Sequence, residues 1–332
     1  MTDIVSPPDV SFVIAAYNAE ETLRRAIDSA LAQTGVSVEV LVVDDCSTDA
    51  TAEIAESYRD APVRLIRQLR NRGPAAARNA GIAAATGEWI AVLDADDSVR
   101  PKRLQRMLAR AQAADADIVV DNLDVVPMDG AGSQRMFRKS HLRAVPELTL
   151  ATFIKSNIIF RSTFNYGYMK PVFSRRFLLG HGLRFDEGLR IGEDYMLLAS
   201  ALACGGRCVV EPSAGYVYHL REGSISRVLE KHHLDAMLAS DKAFLKHFRL
   251  EGAAAAAHRR RTRSLMEARS FLSLVEEIKK RSIGGILKTA ISNPSAVRHL
   301  RMPIAVRMRR FMKKAGAKST TSGARLEKGQ RS

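Results

Sequence analysis

Through its first 120 residues the chain alternates short apolar runs with segments of helical period, and that alternation restricts the fold more than any other feature. Val10–Ala16 (VSFVIAA) is apolar and rich in β-branched residues, which predicts a buried strand. In Glu20–Gln33, the residues Leu23, Ile27, Ala30 and Leu31 fall at helical spacing. A second strand is expected over Val38–Val43, a helix over Ala50–Tyr58 with an N-cap offered by Ser47-Thr48-Asp49, and a third strand over Val63–Ile66. Gly73-Pro74 opens a helix running to about Ala85, with proline in the first turn, where its missing N–H costs little. Glu88–Leu93, Pro101–Ala113 and Asp117–Val120 read as strand, helix and strand. This alternation predicts an α/β fold with a mostly parallel sheet flanked by helices. In such sheets ligands bind beyond the carboxyl ends of the strands. The acidic clusters of this chain sit at the ends of its second and fourth strands.

Residues 121–250 are less regular, with mixed strands, turns and helices, among them a helix expected over Asp194–Cys204. Residues 253–282 read as helix, with Leu265, Ala268, Phe271, Leu272 and Val275 forming an apolar stripe. From about Lys314 onward polar and charged residues dominate and disorder is expected. The predicted organisation is one domain over 1–250 (a half at about 8–120 and another at 121–250), a basic helical extension over 251–314 and a tail over 315–332. The hydrophobic share of 46% suits a packed core rather than a disordered chain. No apolar run approaches the roughly 18–20 residues of a membrane span. Met1–Pro8 shows no secretory pattern, so a cytoplasmic location is expected. Cys46, Cys204 and Cys208 do not make a disulfide framework or a zinc set, and free thiols are expected.

Asp94-Ala95-Asp96-Asp97 is the sharpest local feature. Three carboxylates within four residues repel one another in a low-dielectric crevice, and a hard cation such as Mg²⁺ or Mn²⁺ would relieve that crowding. Such a cation could neutralise a diphosphate leaving group; the alternative is a solvated loop capping the next helix. Asp44-Asp45 ends another strand, from which Asp44 could accept hydrogen bonds from a base or a ribose, or the pair could serve only as a cap. Glu193-Asp194 precedes a helix. There a carboxylate could act as general base, or the pair could simply favour the helix dipole. Arg78, beside Asn79 in a run of small residues, could pair with base or phosphate through its planar fork, or lie on the surface.

Taken together, VSFVIAAYNAEETLRRAIDSALAQ (10–33), VEVLVVDDCSTDAT (38–51), NRGPAAARNAGIAAATGEWIAVLDADD (71–97) and GED (192–194) resemble family 2 glycosyltransferases. The resemblance implies the Rossmann-like GT-A fold and an inverting transfer from a nucleotide sugar, mostly a UDP-sugar, with Mg²⁺ or Mn²⁺. It implies that Ala15, Tyr17 and Glu20 line the nucleotide pocket, that Asp44 binds the base and that Arg78 supports the nucleotide. By the same matching, Asp94, Asp96 and Asp97 form the metal and ribose segment, with Asp96 and Asp97 nearest the cation. Asp194 is then the general base with Glu193 beside it, and Tyr218–Ser226 resembles the family's mobile loop, from which His219 or Arg221 could reach a phosphate. Processive members carry transmembrane helices and a Gln-X-X-Arg-Trp motif. Neither is found here, so transfer of a single sugar is expected. The chain is also similar to bacterial exopolysaccharide glucosyltransferases of the succinoglycan type, which implies UDP-glucose and a lipid-linked oligosaccharide acceptor.

The formal charge of +15 is carried by one end. Residues 251–332 hold 20 Lys and Arg against 5 Asp and Glu, and residues 1–250 hold 31 of each sign. In Pro303–Lys314 (PIAVRMRRFMKK), Ile304, Met308, Phe311 and Met312 share a face and basic residues fill the rest, a pattern suited to an anionic membrane interface. Peripheral contact with the inner face of the cell membrane through residues 294–314 is therefore expected, with a helix packed on the domain as the alternative. A nucleotidyltransferase could share the sheet and acidic site, but would carry a Gly-rich basic signature where Ala15-Ala16-Tyr17-Asn18 stands. A non-catalytic binder, of nucleic acid or of a nucleotide sugar, is the remaining rival. The balanced body and the lack of clustered aromatics predict no nucleic-acid partner.

Overall fold

A computed structural model describes residues 6–127, 132–160, 165–220 and 229–299 of the chain. Arg221, the segment Pro303–Lys314 and the tail from 315 lie outside the described residues.

The first half follows the predicted rhythm. Strands β1 (Val10–Ala16), β2 (Val38–Asp44), β3 (Val63–Arg67) and β4 (Trp89–Val92) alternate with helices α1 (Leu23–Leu31), α2 (Thr51–Glu56) and α3 (Pro74–Ala84). Their order in the sheet is β3-β2-β1-β4, all parallel. Val10, Phe12, Val13 and Ile14 of β1 are fully buried because helices cover both faces of the strand. Helix α1 turns Leu23, Ala26, Ile27 and Ala30 inward, a single face at i, i+3, i+4 and i+7. Helix α3 lies so close to β1 that a Cβ on Gly81 would come within 2.4 Å of Val13 Cγ1.

The starts of α1 and α2 differ from expectation, for one reason. Helix α1 begins at Leu23 rather than Glu20 because residues 18–20 are stitched to the loop after β2. The Asn18 N–H donates to Ser47 Oγ (3.0 Å), Asn18 Oδ1 accepts from Thr48 N–H (2.9 Å), and Ala19 N–H donates to Thr51 Oγ1 (2.7 Å). Ser47 and Thr48 are thereby taken up by the neighbouring loop. Of the predicted capping triplet, only Asp49 serves the helix end, accepting from Thr51 N–H at 3.0 Å.

The second half continues the same sheet with mixed direction. Strands β5 (Ser98–Val99), β6 (Ile118–Val126), β7 (Gln134–Arg135), β8 (Val172–Ser174) and β9 (Cys208–His219) extend it as β4-β8-β6-β9-β5, with β7 on β6. Here β4/β8, β8/β6, β9/β5 and β6/β7 are antiparallel, and β6/β9 is parallel. The expected strand Asp117–Val120 is too short: β6 continues to Val126 through Asp121, Asn122 and Asp124, all buried. Those polar residues interrupt the apolar run, but each is satisfied inside the fold. Arg103 pairs with Asp121, Arg100 and Arg135 pair with Asp124, and the Asn122 amide donates to Phe137 O. Arg103 opens α4 (Arg103–Ala113), and the short helices α5 (Lys139–Arg143), α6 (Leu150–Ser156) and α7 (Arg175–Gly180) pack around this half before α8 (Glu193–Ala203).

Helices α9 (Lys231–His247) and α10 (Gly252–Lys279) follow. The chain divides into two compact units, Met1–Thr262 and Arg263–Ser332. The division falls inside α10 rather than at residue 250, because the helix's first turns are anchored. The Arg261 guanidinium donates to Asp241 of α9, both buried, and lies 3.7 Å over the Tyr195 ring of α8. The second unit holds the rest of α10, then α11 (Ile283–Ser292) and α12 (Pro294–His299). Among the described residues no helix is long and apolar enough to cross a membrane.

Candidate active site

The carboxyl ends of β1, β2 and β4 open on one edge of the sheet, where the strand order reverses at β1. Ala15 sits half-buried near the end of β1, and Tyr17, just past it, is 52% exposed. Asp44 ends β2 and is buried, its Oδ1 accepting from Ser47 N–H at 3.2 Å. Its neighbour Asp45 clamps the approach to α3, accepting from Arg72 N–H (2.8 Å) and Gly73 N–H (2.7 Å). Glu20, expected in the nucleotide pocket, accepts from Ala50 N–H at 3.1 Å. Cys46, Cys204 and Cys208 are free thiols.

The centre of the site is a buried cluster drawn from four parts of the chain. Asp94 follows β4, Arg78 comes from the middle of α3, Lys170 immediately precedes the turn into β8, and Glu193 and Asp194 open α8. Arg78 donates to Asp94 Oδ1 through Nη2 (2.8 Å), and through Nη1 to Glu193 Oε1 (2.9 Å) and Asp194 Oδ1 (3.4 Å). Lys170 Nζ lies 2.8 Å from Asp94 Oδ2 and donates to Asp194 Oδ2 at 2.7 Å. Three carboxylates thus meet two fixed cations. The Arg78 fork, expected to face the nucleotide, is committed to carboxylates. Burial alone would lower the Lys170 and Arg78 values, but Asp194 and Asp94 outweigh it and hold both cations above their ordinary range. Burial likewise opposes ionisation of Asp94, yet Lys170 and Arg78 keep its carboxyl well below the usual carboxylate range. Glu193 is pushed up, by burial and then by the Asp194 charge.

The local chain explains why α8 arrives here. Gly192 adopts φ +96° at the N-cap, a left-handed turn that favours glycine, so Glu193 and Asp194 can open the helix at once. Asn79, next to Arg78, grips the preceding loop both ways, donating to Phe185 O (3.0 Å) and accepting from Phe185 N–H (2.8 Å). Helix α3 therefore orients α8 across more than a hundred residues of sequence.

The segment after Asp94 hangs from β9. Tyr216 Oη accepts from Asp94 N–H (3.2 Å) and donates to Asp97 Oδ2 (2.7 Å), while His219 N–H donates to Asp97 Oδ1 (2.8 Å). Asp97 is fully buried beneath these contacts. Burial, and then the charges of Asp94 and Asp96, raise its carboxyl well above the usual range. Asp96 stays half-buried, and its carbonyl accepts from the Arg25 guanidinium. The His219 ring lies 3.1 Å from Ser98 Oγ and is held below its ordinary value by burial and by Arg25.

Among the described residues no three or more His, Cys, Asp or Glu gather as a complete ligand set for a metal. Mg²⁺ and Mn²⁺ at phosphate sites need only one or two carboxylates, the rest coming from phosphate oxygens and water. Asp96, half-buried beside the crowded Asp94 and Asp97, fits that sparser requirement, whereas Asp97, expected beside it at the cation, is fully buried with both oxygens engaged by Tyr216 and His219.

Sequence reasoning missed Lys170 and Tyr216. Lys170 had a signal, as the one charge within the apolar stretch Tyr168–Phe173. Tyr216 had none beyond its place in an aromatic-rich strand.

Residues 11–177 match the sequence profile described as glycosyl transferase family 2. The chain is 64% identical over 304 residues to the succinoglycan biosynthesis protein ExoO of Rhizobium meliloti (strain 1021), covering 92% of this chain and 87% of ExoO. It is 38% identical over 300 residues to ExoU of the same organism, covering 88% and 85%. Among solved structures, S. aureus TarS 1-349 in complex with UDP-GlcNAc has a TM-score of 0.62 at 20% identity, covering 86% of this chain and 91% of that one, which establishes a shared GT-A fold. The matched profile and these two long alignments show that the chain belongs to glycosyl transferase family 2 and is a glycosyltransferase related to proteins of succinoglycan biosynthesis.

Proposed function

We propose that the chain transfers one hexose, with inversion, from a nucleoside diphosphate sugar onto a hydroxyl of a lipid-linked exopolysaccharide repeat unit, UDP-glucose being the donor in our reading. The observation that carries this reading is the joint anchoring of Asp94 and Asp194, a hundred residues apart, on Arg78 and Lys170 at the ligand-binding edge of the sheet. In this reading the Asp94 segment serves the donor and Asp194 serves the acceptor. The UDP-GlcNAc complex of S. aureus TarS supports a uridine diphosphate donor.

In this reading Tyr17 and Asp44 line the nucleotide half. Asp194, a quarter exposed at its side chain, keeps lone pairs beyond those used by Lys170 and Arg78. It takes the acceptor hydroxyl proton while the hydroxyl oxygen displaces the nucleoside diphosphate from the anomeric carbon. Glu193 holds Arg78, and Arg78 with Lys170 fixes the rotamer of Asp194. Asp96 would hold Mg²⁺ or Mn²⁺, and that ion would supply positive charge to the departing diphosphate. Peripheral contact with an anionic membrane through residues 294–314 would bring the enzyme to a lipid-borne acceptor.

A panel of nucleotide sugars tested by calorimetry and by hydrolysis, with and without Mn²⁺, checks the reading. UDP-glucose uptake strengthened by Mn²⁺, and weakened in Asp96→Ala, is expected. If no nucleoside diphosphate sugar is taken up under either condition, the donor assignment is wrong.

A further inference from the structure

Helix α11 carries an apolar face that the fold leaves open. Ile283, Ile286, Leu287, Ala290 and Ile291 recur at i, i+3, i+4, i+7 and i+8, which places them on one side of the helix. The same spacing in α1 gives four buried residues, whereas no residue of α11 is buried. Ile283, Leu287 and Ile291 are 75%, 56% and 77% exposed. Ile278 at the end of α10 and Val297 of α12 are exposed as well. A run of large exposed aliphatic residues of this kind marks a contact surface.

Charge decides the partner. From Ile278 to His299 the chain holds five Lys and Arg (Lys279, Lys280, Arg281, Lys288 and Arg298) and no Asp or Glu; Glu277, just before, pairs with Lys280 at 3.6 Å, which leaves four basic residues against no further acid in this stretch. Two copies of so basic a surface would repel each other. An anionic lipid leaflet offers both needed features, phosphates for the cations and hydrocarbon for the aliphatic face. At 10 residues the helix is about 15 Å long, enough to lie in the interface but not to span it.

We propose that α11 is a lipid-contact helix. It lies in the headgroup boundary of an anionic membrane with Ile283, Leu287 and Ile291 inserted and the flanking lysines and arginines on phosphates. The proposal rests on the membrane reading given above and moves the contact to a segment N-terminal of the basic stretch at 303–314.

The test is vesicle flotation of the full chain at low salt, comparing pure phosphatidylcholine with vesicles containing about a quarter phosphatidylglycerol. The wild type should float only with the anionic vesicles. I283S/L287S/I291S should lower the bound fraction about tenfold or more. Phe311→Ser with Met312→Ser should retain most of the binding. As no α11 residue is buried, the triple variant should melt as the wild type does. An independent probe is Leu287→Trp, whose emission, beyond the wild-type signal from Trp89, should shift to the blue on anionic vesicles. Undiminished flotation of the triple variant, or unchanged emission from the Leu287→Trp variant, overturns the α11 proposal while leaving a contact through 294–314 standing. Failure of the wild type to float removes both. A wild-type dimer that the serine substitutions turn into a monomer without lipid would show that the face pairs with a second copy, and would likewise overturn the proposal.

Discussion

Two buried arginines lie on consecutive helices of this protein, α3 and α4, and only one of them belongs to the proposed site. Arg103 and Arg78 are alike in several respects. Each guanidinium lies over an aromatic ring, Tyr216 at 5.4 Å and Phe185 at 5.2 Å, and each holds an aspartate in or just beyond a strand. Their charge balance separates them. Arg103 makes a two-pronged pair with Asp121 (3.1 and 3.0 Å), and the two side chains are 0% and 1% exposed. Arg78 and Lys170 together face three carboxylates, of which Asp94 and Asp194 remain 23% and 25% open. A balanced, closed pair is scaffold. An unbalanced cluster that keeps part of its surface open has unused chemical capacity, and the two should respond differently to substitution.

The largest expected effect is on catalysis. Asp194→Asn keeps the shape and loses the base, so transfer should fall by about a thousandfold or more. Nucleotide binding should stay near wild type, because the proton is taken from the acceptor. Single-turnover transfer beside donor titration checks this. An active Asp194→Asn variant would end the distinction drawn here between the open cluster and the closed pair.

Arg103→Met probes the other side. It leaves the buried Asp121 carboxylate without its cation, with the Gly215 N–H as remaining donor and Glu211 nearby, and should cost about 3–5 kcal/mol of stability. Urea unfolding measures it, and adding Asp121→Leu should recover part of the loss. The substitution would also free the carbonyl of Lys170, which Arg103 Nη2 holds at 2.7 Å. Activity should therefore fall somewhat even where the variant stays folded. A stability change below about 1 kcal/mol would contradict the scaffold role.

The same contrast shows what the sequence could convey. The parallel half was legible because its central strands are buried and read as short apolar runs, Phe12–Ala16 and Val40–Val43 among them. Asp94 and Asp194 were legible as acids placed at a strand end and a helix start. Strand β6 was cut short in the reading because Asp121 and Asp124 look solvent-facing until Arg103, Arg100 and Arg135 are brought to them from elsewhere. Lys170 was missed for a related reason. Its partners lie 76 and 24 residues away along the chain, and no local pattern records a pairing that only the folded sheet creates.

Lys170→Met should have an intermediate effect. It leaves Asp194 held only by the 3.4 Å contact from Arg78, so the base loses its fixed orientation. A drop of about 10- to 100-fold in kcat is expected, with donor KM changed much less. Lys170→Arg should restore part of the rate, since a cation again bridges Asp94 and Asp194. If Lys170→Met instead lowers only the melting temperature, Lys170 belongs with Arg103 as scaffold.

Tyr216→Phe should have the smallest effect, and it tests whether scaffold and site are joined at all. The ring packs over Arg103 on one side, while its hydroxyl reaches the Asp94 N–H and Asp97 at the other end. Removing only the hydroxyl keeps the packing and leaves the Asp97 carboxylate to the His219 N–H. A loss of about 1–2 kcal/mol in urea unfolding follows from the Asp97 acceptor and the Asp94 N–H left short together. If the Asp94–Asp97 segment depends on that hydroxyl for its position, donor affinity should weaken several-fold in the same variant, whereas a purely structural hydroxyl would change stability and leave donor titration where it was. The two measurements on one substitution therefore decide whether the Tyr216 hydroxyl, carried on a ring that packs over the closed Arg103 pair, merely stabilises the sheet or also sets the carboxylates of the proposed site.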